Sequence, residues 1–259
     1  MTNEKEVQRV LSEVTVWNNY KTPDIIWSVA GVSYPKLFTD TPMETMRYMM
    51  DINYWAPTYL AHAAMKAWFG STGDKDGSAI KNHKPHHFIM TSSAACFVGV
   101  AGYAGYAPTK AALRSLADNL RSEVNIYRGA LKSTAPGPAA DIKIHCIVPG
   151  GIDSPGFANE NLEKHEVTKI LEKDDPHQSE DEVAVQAVRG LERGGYLITT
   201  HWFGYAMRGS MIGGSPRDYW FLDTVTSWMT SVAWLFIGPD MERTVYRYGQ
   251  KHGAVSVKA

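Results

Sequence analysis

At 259 residues the chain has room for one large domain or one and a half, and 44% hydrophobic against 20% charged residues exclude wholesale disorder. Its 26 basic and 27 acidic side chains leave a net charge of −1, which gives no electrostatic case for nucleic-acid binding as the main activity. Two cysteines, Cys96 and Cys146, are too few for a disulfide framework or a Cys-based zinc site and fit a reducing compartment.

The polar start MTNEKEVQRV does not read as a signal peptide. Val7, Val10, Leu11 and Val14 recur at helical spacing and predict a helix over 3–18. After Pro23, the apolar run 25–29 ends in Ala30-Gly31 and predicts a strand of the buried type. Thr41-Pro42-Met43-Glu44 has the form of a capping box with proline at the first helical position, so a helix is expected from there to about Trp68. Residues 70–86 read as a polar loop, 88–91 as a strand, and 93–105 as a loop of small residues.

From Tyr106 a helix begins, with Leu113, Leu116, Ala117, Leu120 and Val124 on one face. Residues 129–140 form a loop, 142–148 a strand stopped by Pro149-Gly150, 180–193 a helix capped by Ser179, and 196–200 a strand. Strands alternating with helices predict an α/β fold around a parallel sheet. Residues 202–259 break the alternation and read as a C-terminal element appended to a domain over 1–201. Within it, 224–239 lacks charge but is too short and too rich in Thr and Ser to predict a membrane-spanning helix.

The chemistry concentrates at Tyr106 and Lys110, with Ser93 just after the preceding strand. Positions i and i+4 lie on one helix face, about 5.4 Å apart along the axis. A phenol has a pKa of about 10 and is a poor proton donor or acceptor near neutrality. A cation about 4 Å away, at an effective dielectric of about 20, is worth about 4 kcal/mol and is expected to lower that value by two to three units. A nearby serine hydroxyl can hold a carbonyl oxygen.

A strand, a serine, about a dozen residues, then Tyr-x-x-x-Lys resembles the short-chain dehydrogenase/reductase family. Ser28-Val29-Ala30-Gly31 stands where that family has Asn-Asn-Ala-Gly, with both asparagines replaced. Asn53 matches its helix asparagine, and Pro149 to Ser154 its Pro-Gly segment against the nicotinamide. The segment Asp153-Ser154-Pro155-Gly156-Phe157-Ala158-Asn159-Glu160-Asn161 is similar to the 3-ketosphinganine reductase subgroup. So is the hydrophobic C-terminal stretch with its basic tail, Arg243, Arg247 and Lys251.

The resemblance implies a Rossmann-like, doubly wound parallel sheet and NADPH as cofactor. It implies Tyr106 as proton donor, Lys110 on the phenol and the nicotinamide ribose, Ser93 on the carbonyl oxygen, and Asn53 anchoring a proton-relay water. Ala30, Gly31, Tyr106, Lys110, Pro149, Gly150, Ile152 and Ser154 would bind the cofactor. The substrate implied is a long-chain keto-sphingoid base, at the endoplasmic reticulum membrane with the catalytic part facing the cytosol. A homodimer through the helices near 41–68 and 106–128 is the family's habit. The aromatic stretch with Trp220, Trp228 and Trp234 reads as a helix at the membrane surface, with a buried dimer-contact or lid helix as the alternative.

The family's Thr-Gly-x-x-x-Gly-x-Gly phosphate cradle is not found in this sequence; Gly99, Gly102 and Gly105 lie instead in the loop before Tyr106. The reading is therefore of an N-terminally incomplete domain, without first strands or glycine-rich loop, in which 25–29 becomes a sheet edge. Two alternatives stand beside the reductase: a catalytically silent fragment that pairs with a full-length homologue, and a reductase of another hydrophobic ketone such as a steroid. His83, His86 and His87 read as a solvated loop rather than a metal site, Cys96 as a small packed residue and Cys146 as core.

Overall fold

A computed structural model describes residues 2–70, 84–97, 99–132, 137–164, 168, 169, 172 and 175–202, then 204, 208 and scattered helical positions between 221 and 250. Helix α1 (Glu4–Trp17) is capped by the Asn3 side chain, which accepts from the Lys5 amide, and buries Val7. Strand β1 (Ile25–Ser28) follows. Helix α2 (Met43–Met50) runs through a π-helical turn (Asp51–Trp55) into α3 (Ala56–Gly70). Strand β2 (His86–Thr91), helix α4 (Ala107–Ala130) and strand β3 (Ile142–Val148) come next. Short strands β4 (Gly151–Asp153) and β5 (His177–Ser179) flank α5 (Pro155–Glu163), and α6 (Glu180–Glu192) leads to β6 (Leu197–Thr199).

The strands form a four-stranded parallel sheet in the order β1-β2-β3-β6, and β4 pairs with β5 apart from it. Alternate residues of each strand face opposite ways. Phe88 and Met90 with Ile144, Cys146 and Val148 pack against Ala61, Ala64, Met65 and Trp68 of α3 and Leu113, Ala117 and Val124 of α4. Ile89 and Ile147, with Ile198, pack against Ala187 of α6 on the other face. Covered on both faces, the central strands carry near-continuous apolar runs, which is why 142–148 is legible as a strand. Both cysteines are buried and unbridged.

Two local expectations are corrected. Thr41 does not cap α2: its hydroxyl donates to the Leu37 carbonyl, Pro42 occupies the cap position, and no side chain bonds the first turn. A 3₁₀ turn over Phe38–Asp40 brings that carbonyl within reach and captures the hydroxyl. His86 and His87 are not in a solvated loop but open β2, where His86 stacks on Trp68 with ring centroids 4.9 Å apart. His83 lies outside the described residues, and no metal-ligand cluster occurs among them. The capping box at Ser179 and Glu182 forms as expected.

The C-terminal extension expected over 202–259 lies largely outside the described residues, Trp220 and Trp234 included. At the described positions Phe221, Trp228, Leu235 and Phe236 are exposed. Among the described residues no helix is long and apolar enough to cross a membrane.

Candidate active site

The carboxyl ends of β1, β2 and β3 open onto a cavity of about 610 Å³, the usual position of ligands on such a sheet. Ser93, Tyr106, Lys110, Gly31, Pro149, Gly150, Ile152 and Ser154 all line it. Ala30 and Asn53 do not.

Tyr106 is the N-cap residue of α4, and Ser93 lies near enough to its phenol to favour the ionised form. Ser93 Oγ accepts from the Ala95 amide at 3.2 Å, which fixes it at the head of a short 3₁₀ turn. Lys110 is 3% exposed, and its Nζ donates to the Thr91 carbonyl at 3.1 Å. That Nζ lies 5.8 Å from the centre of the Tyr106 ring. Ser92 donates to the Lys110 carbonyl at 2.9 Å and ties the end of β2 to α4.

The expected depression of the phenol is not found. Burial pushes the Tyr106 phenol well above its usual value, against the opposing influence of Ser93. Burial also pushes Lys110 down to about 8. The pocket penalises charge on either group, and the ammonium is held by a backbone carbonyl rather than by the phenol oxygen.

Asn53 sits fully buried in the π-helical turn. Its Oδ1 accepts from the Val32 amide at 2.8 Å, and its Nδ2 donates to the Val32 carbonyl at 2.9 Å and to Thr109 Oγ1 at 3.0 Å. Both amide hydrogens are thus taken by protein. The relay water that the resemblance assigns to Asn53 has no side-chain hydrogen to rest on. What this side chain does is clamp the segment after β1 above Lys110. Gly31 passes so close there that a Cβ would lie 3.0 Å from Lys110 Nζ.

The loop before Tyr106 is packed. Gly102, at φ +95°, lies under Thr168, whose hydroxyl donates to the Ala101 carbonyl at 2.7 Å. Buried Cys96 has its thiol pushed up to about 11, which makes it an inert packed residue as expected. Ser154 caps α5 by accepting from the Phe157 amide.

Sequence reasoning missed the acidic wall of the cavity. Glu160, Glu163, Glu172 and Asp175 line it. The Tyr103 hydroxyl donates to Glu172 at 2.5 Å and lies 3.1 Å from Glu160. Lys164, its side chain 1% exposed, reaches Glu172 at 2.6 Å and Glu160 at 3.3 Å. Two carboxylates therefore share one ammonium, and Glu163 pairs outward with Lys36 at 2.7 Å. Only the i,i+4 spacing of Glu160 and Lys164 could have marked this cluster in the sequence. The Thr91 carbonyl, being backbone, leaves no sequence signal at all.

The chain resembles known proteins in sequence and in fold. The sequence pattern of the short chain dehydrogenases matches residues 1–165. The chain is 42% identical to the 3-ketodihydrosphingosine reductase ksrA of Aspergillus fumigatus, over 99% of its own length and 70% of the relative's. It is 38% identical to the 3-ketodihydrosphingosine reductase gsl-3 of Neurospora crassa, over 94% of this chain and 64% of that one. Among solved structures, a short-chain dehydrogenase/reductase from Burkholderia phymatum in complex with NAD aligns with TM-score 0.62 at 14% identity, covering 84% of this chain and 76% of its own. A short chain dehydrogenase from Burkholderia cenocepacia in complex with NADP aligns with TM-score 0.58 at 16% identity, covering 82% and 71%. Those identities carry the fold alone: an α/β architecture around a parallel sheet. With its Ser93, Tyr106 and Lys110 in place and its pattern matched from residue 1 to residue 165, the chain belongs to the short-chain dehydrogenase family.

Proposed function

We propose that this chain is the catalytic part of an NADPH-dependent reductase that converts 3-ketosphinganine to sphinganine. The observation that carries the reading is the Ser93–Tyr106 hydroxyl pair beside buried Lys110, in one cavity with an acidic wall. The names of the two fungal relatives support the substrate.

The residues present fit the nicotinamide and ribose end of the cofactor. Lys110 Nζ has three N–H donors and gives one to Thr91, which leaves donors for ribose hydroxyls. Gly31, with no side chain, lets the backbone approach that Nζ closely, and Pro149, Gly150, Ile152 and Ser154 line the same cavity. A bound NAD(P)H supplies the hydride.

Ser93 holds the carbonyl oxygen and sets it against Tyr106. The raised phenol pKa keeps Tyr106 protonated near neutrality, the form a donor to the developing alkoxide requires. As the phenol gives up its proton, the new negative charge favours the ammonium form of Lys110 and is stabilised by it. The acidic wall suits the ammonium of a 2-amino-3-ketone and offers nothing to a steroid ketone. We further propose a boundary near residue 201, with 202–259 as a substrate- and membrane-associated extension. The setting we propose is the cytosolic side of the endoplasmic reticulum membrane, with the chain as a homodimer.

The test is product analysis of the purified protein with NADPH and 3-ketosphinganine. Sphinganine forms, and Tyr106→Phe lowers kcat by about 10²–10⁴ while the circular dichroism spectrum is unchanged. Turnover by Tyr106→Phe at the wild-type rate, or preference for a steroid ketone, overturns the reading.

A further inference from the structure

Beside the catalytic cavity lies a second, apolar one of about 610 Å³. Leu37 and Phe38, from the segment before α2, form one wall; Ala104 and Ala111, from the 94–106 loop and the start of α4, form part of the other. Among the described residues none that lines it carries a charge, and Cys96 and Tyr103 are its most polar side chains. It adjoins the catalytic cavity: Ala95, Val100 and Tyr103 line both. Phe38, 62% exposed, adds apolar surface to the rim of this groove.

A carbonyl held between Ser93 and Tyr106 carries two substituents that must occupy different surroundings. The carboxylate wall suits a cationic head. The groove beyond Tyr103 suits hydrocarbon, because its two polar side chains, Cys96 and Tyr103, are already buried and the Tyr103 hydroxyl is already bonded to Glu172, so a chain that enters takes water mainly from apolar surface. We propose that this groove, between Phe38 and Ala104, holds the aliphatic chain of the substrate. The proposal rests on reading the site as a reductase of a long-chain keto amine and names where its chain specificity is set.

The test is calorimetric binding of sphinganine homologues of eight, ten and twelve carbons to the purified protein. Each added methylene tightens binding about fourfold in the wild type. Ala104→Trp fills the groove and Phe38→Asp places a charge in it; both positions are exposed, so the fold survives. Each variant weakens the twelve-carbon base at least tenfold more than the eight-carbon base. Wild-type binding indifferent to chain length, no binding of any homologue, or equal chain-length dependence in wild type and both variants overturns the proposal. Turnover on the same preparations is read separately. Chain-length-dependent binding without Tyr106-dependent reduction refutes the reductase and leaves the groove standing; reduction that ignores chain length does the reverse.

Discussion

Burial pushes Tyr106 and Lys110 toward the same state, the neutral one. For the phenol this preserves the proton to be donated. For the lysine it brings titration to about 8, inside the working range of an assay. Reduction is therefore expected to fall as pH rises through about 8, where Lys110 loses the charge that stabilises the phenolate. Stability moves the other way. The folded-state value lies below the unfolded value of about 10.4, so the unfolded chain binds more protons between the two and stability rises with pH across that window. A kcat profile and melting temperatures at neutral and high pH check both signs. In Lys110→Met the alkaline fall in rate and the rise in stability are both expected to vanish. The Ser93, Tyr106 and Lys110 set was legible because chemistry fixes residue types at a spacing. The direction of the pKa shifts was not, since it depends on a burial and a backbone carbonyl that no spacing encodes.

At the level of the element, helix and strand identity followed from periodicity, while ends and irregularities did not. The run 142–148 and the helix from Tyr106 stand where their apolar patterns place them. The π-helical turn at Asp51–Trp55 shows no period of its own, yet it delivers Asn53 to Val32. Residues His86 and His87 look like loop composition, and the pairing of β2 with β3 makes them strand. In that register His87 pairs with Lys143 and reaches diagonally to His145, two residues on along β3, with Nδ1 and Nε2 2.9 Å apart and rings stacked at 5.1 Å. His145 Nδ1 bonds the Gly195 carbonyl at 2.6 Å, and a carbonyl only accepts, so Nδ1 carries the proton. Nε2 of His145 is then an acceptor and His87 Nδ1 its donor, an arrangement that requires His145 to be neutral. Both values are lowered by burial, that of His87 also by His145. The unfolded chain thus takes protons first as pH falls below about 6.5, and stability is lost from there down. His145→Gln is expected to be less stable at neutral pH, through the lost bond, and to lose less stability on acidification. Denaturant midpoints at pH 7.5 and 5.5 for both proteins decide it; equal acid loss refutes the pair as its source.

Across the whole molecule, the consequence that reaches furthest is the order β1-β2-β3-β6. Among the described residues β1 pairs with β2 alone, which makes it a sheet edge as the sequence reading anticipated. Its inner contacts are those of a central strand: Ile26 packs on the core, and Trp27 Nε1 donates to Thr91 Oγ1 at 2.9 Å. Ile25 is nevertheless 63% exposed and Val29, just past the strand, 60%. An edge of this kind offers unpaired amides and carbonyls beside β-branched side chains, with no proline, lysine or bulge to blunt it. The chain is therefore expected to self-associate through β1 as its concentration rises. Ile25→Lys places a charge at the edge while removing a side chain that is mostly in water, so stability should change by less than about 1 kcal/mol. Sedimentation velocity over a concentration series is expected to show association in the wild type and a clear reduction in Ile25→Lys. Association that is unchanged by the lysine would place the contact elsewhere and leave the exposed edge without consequence.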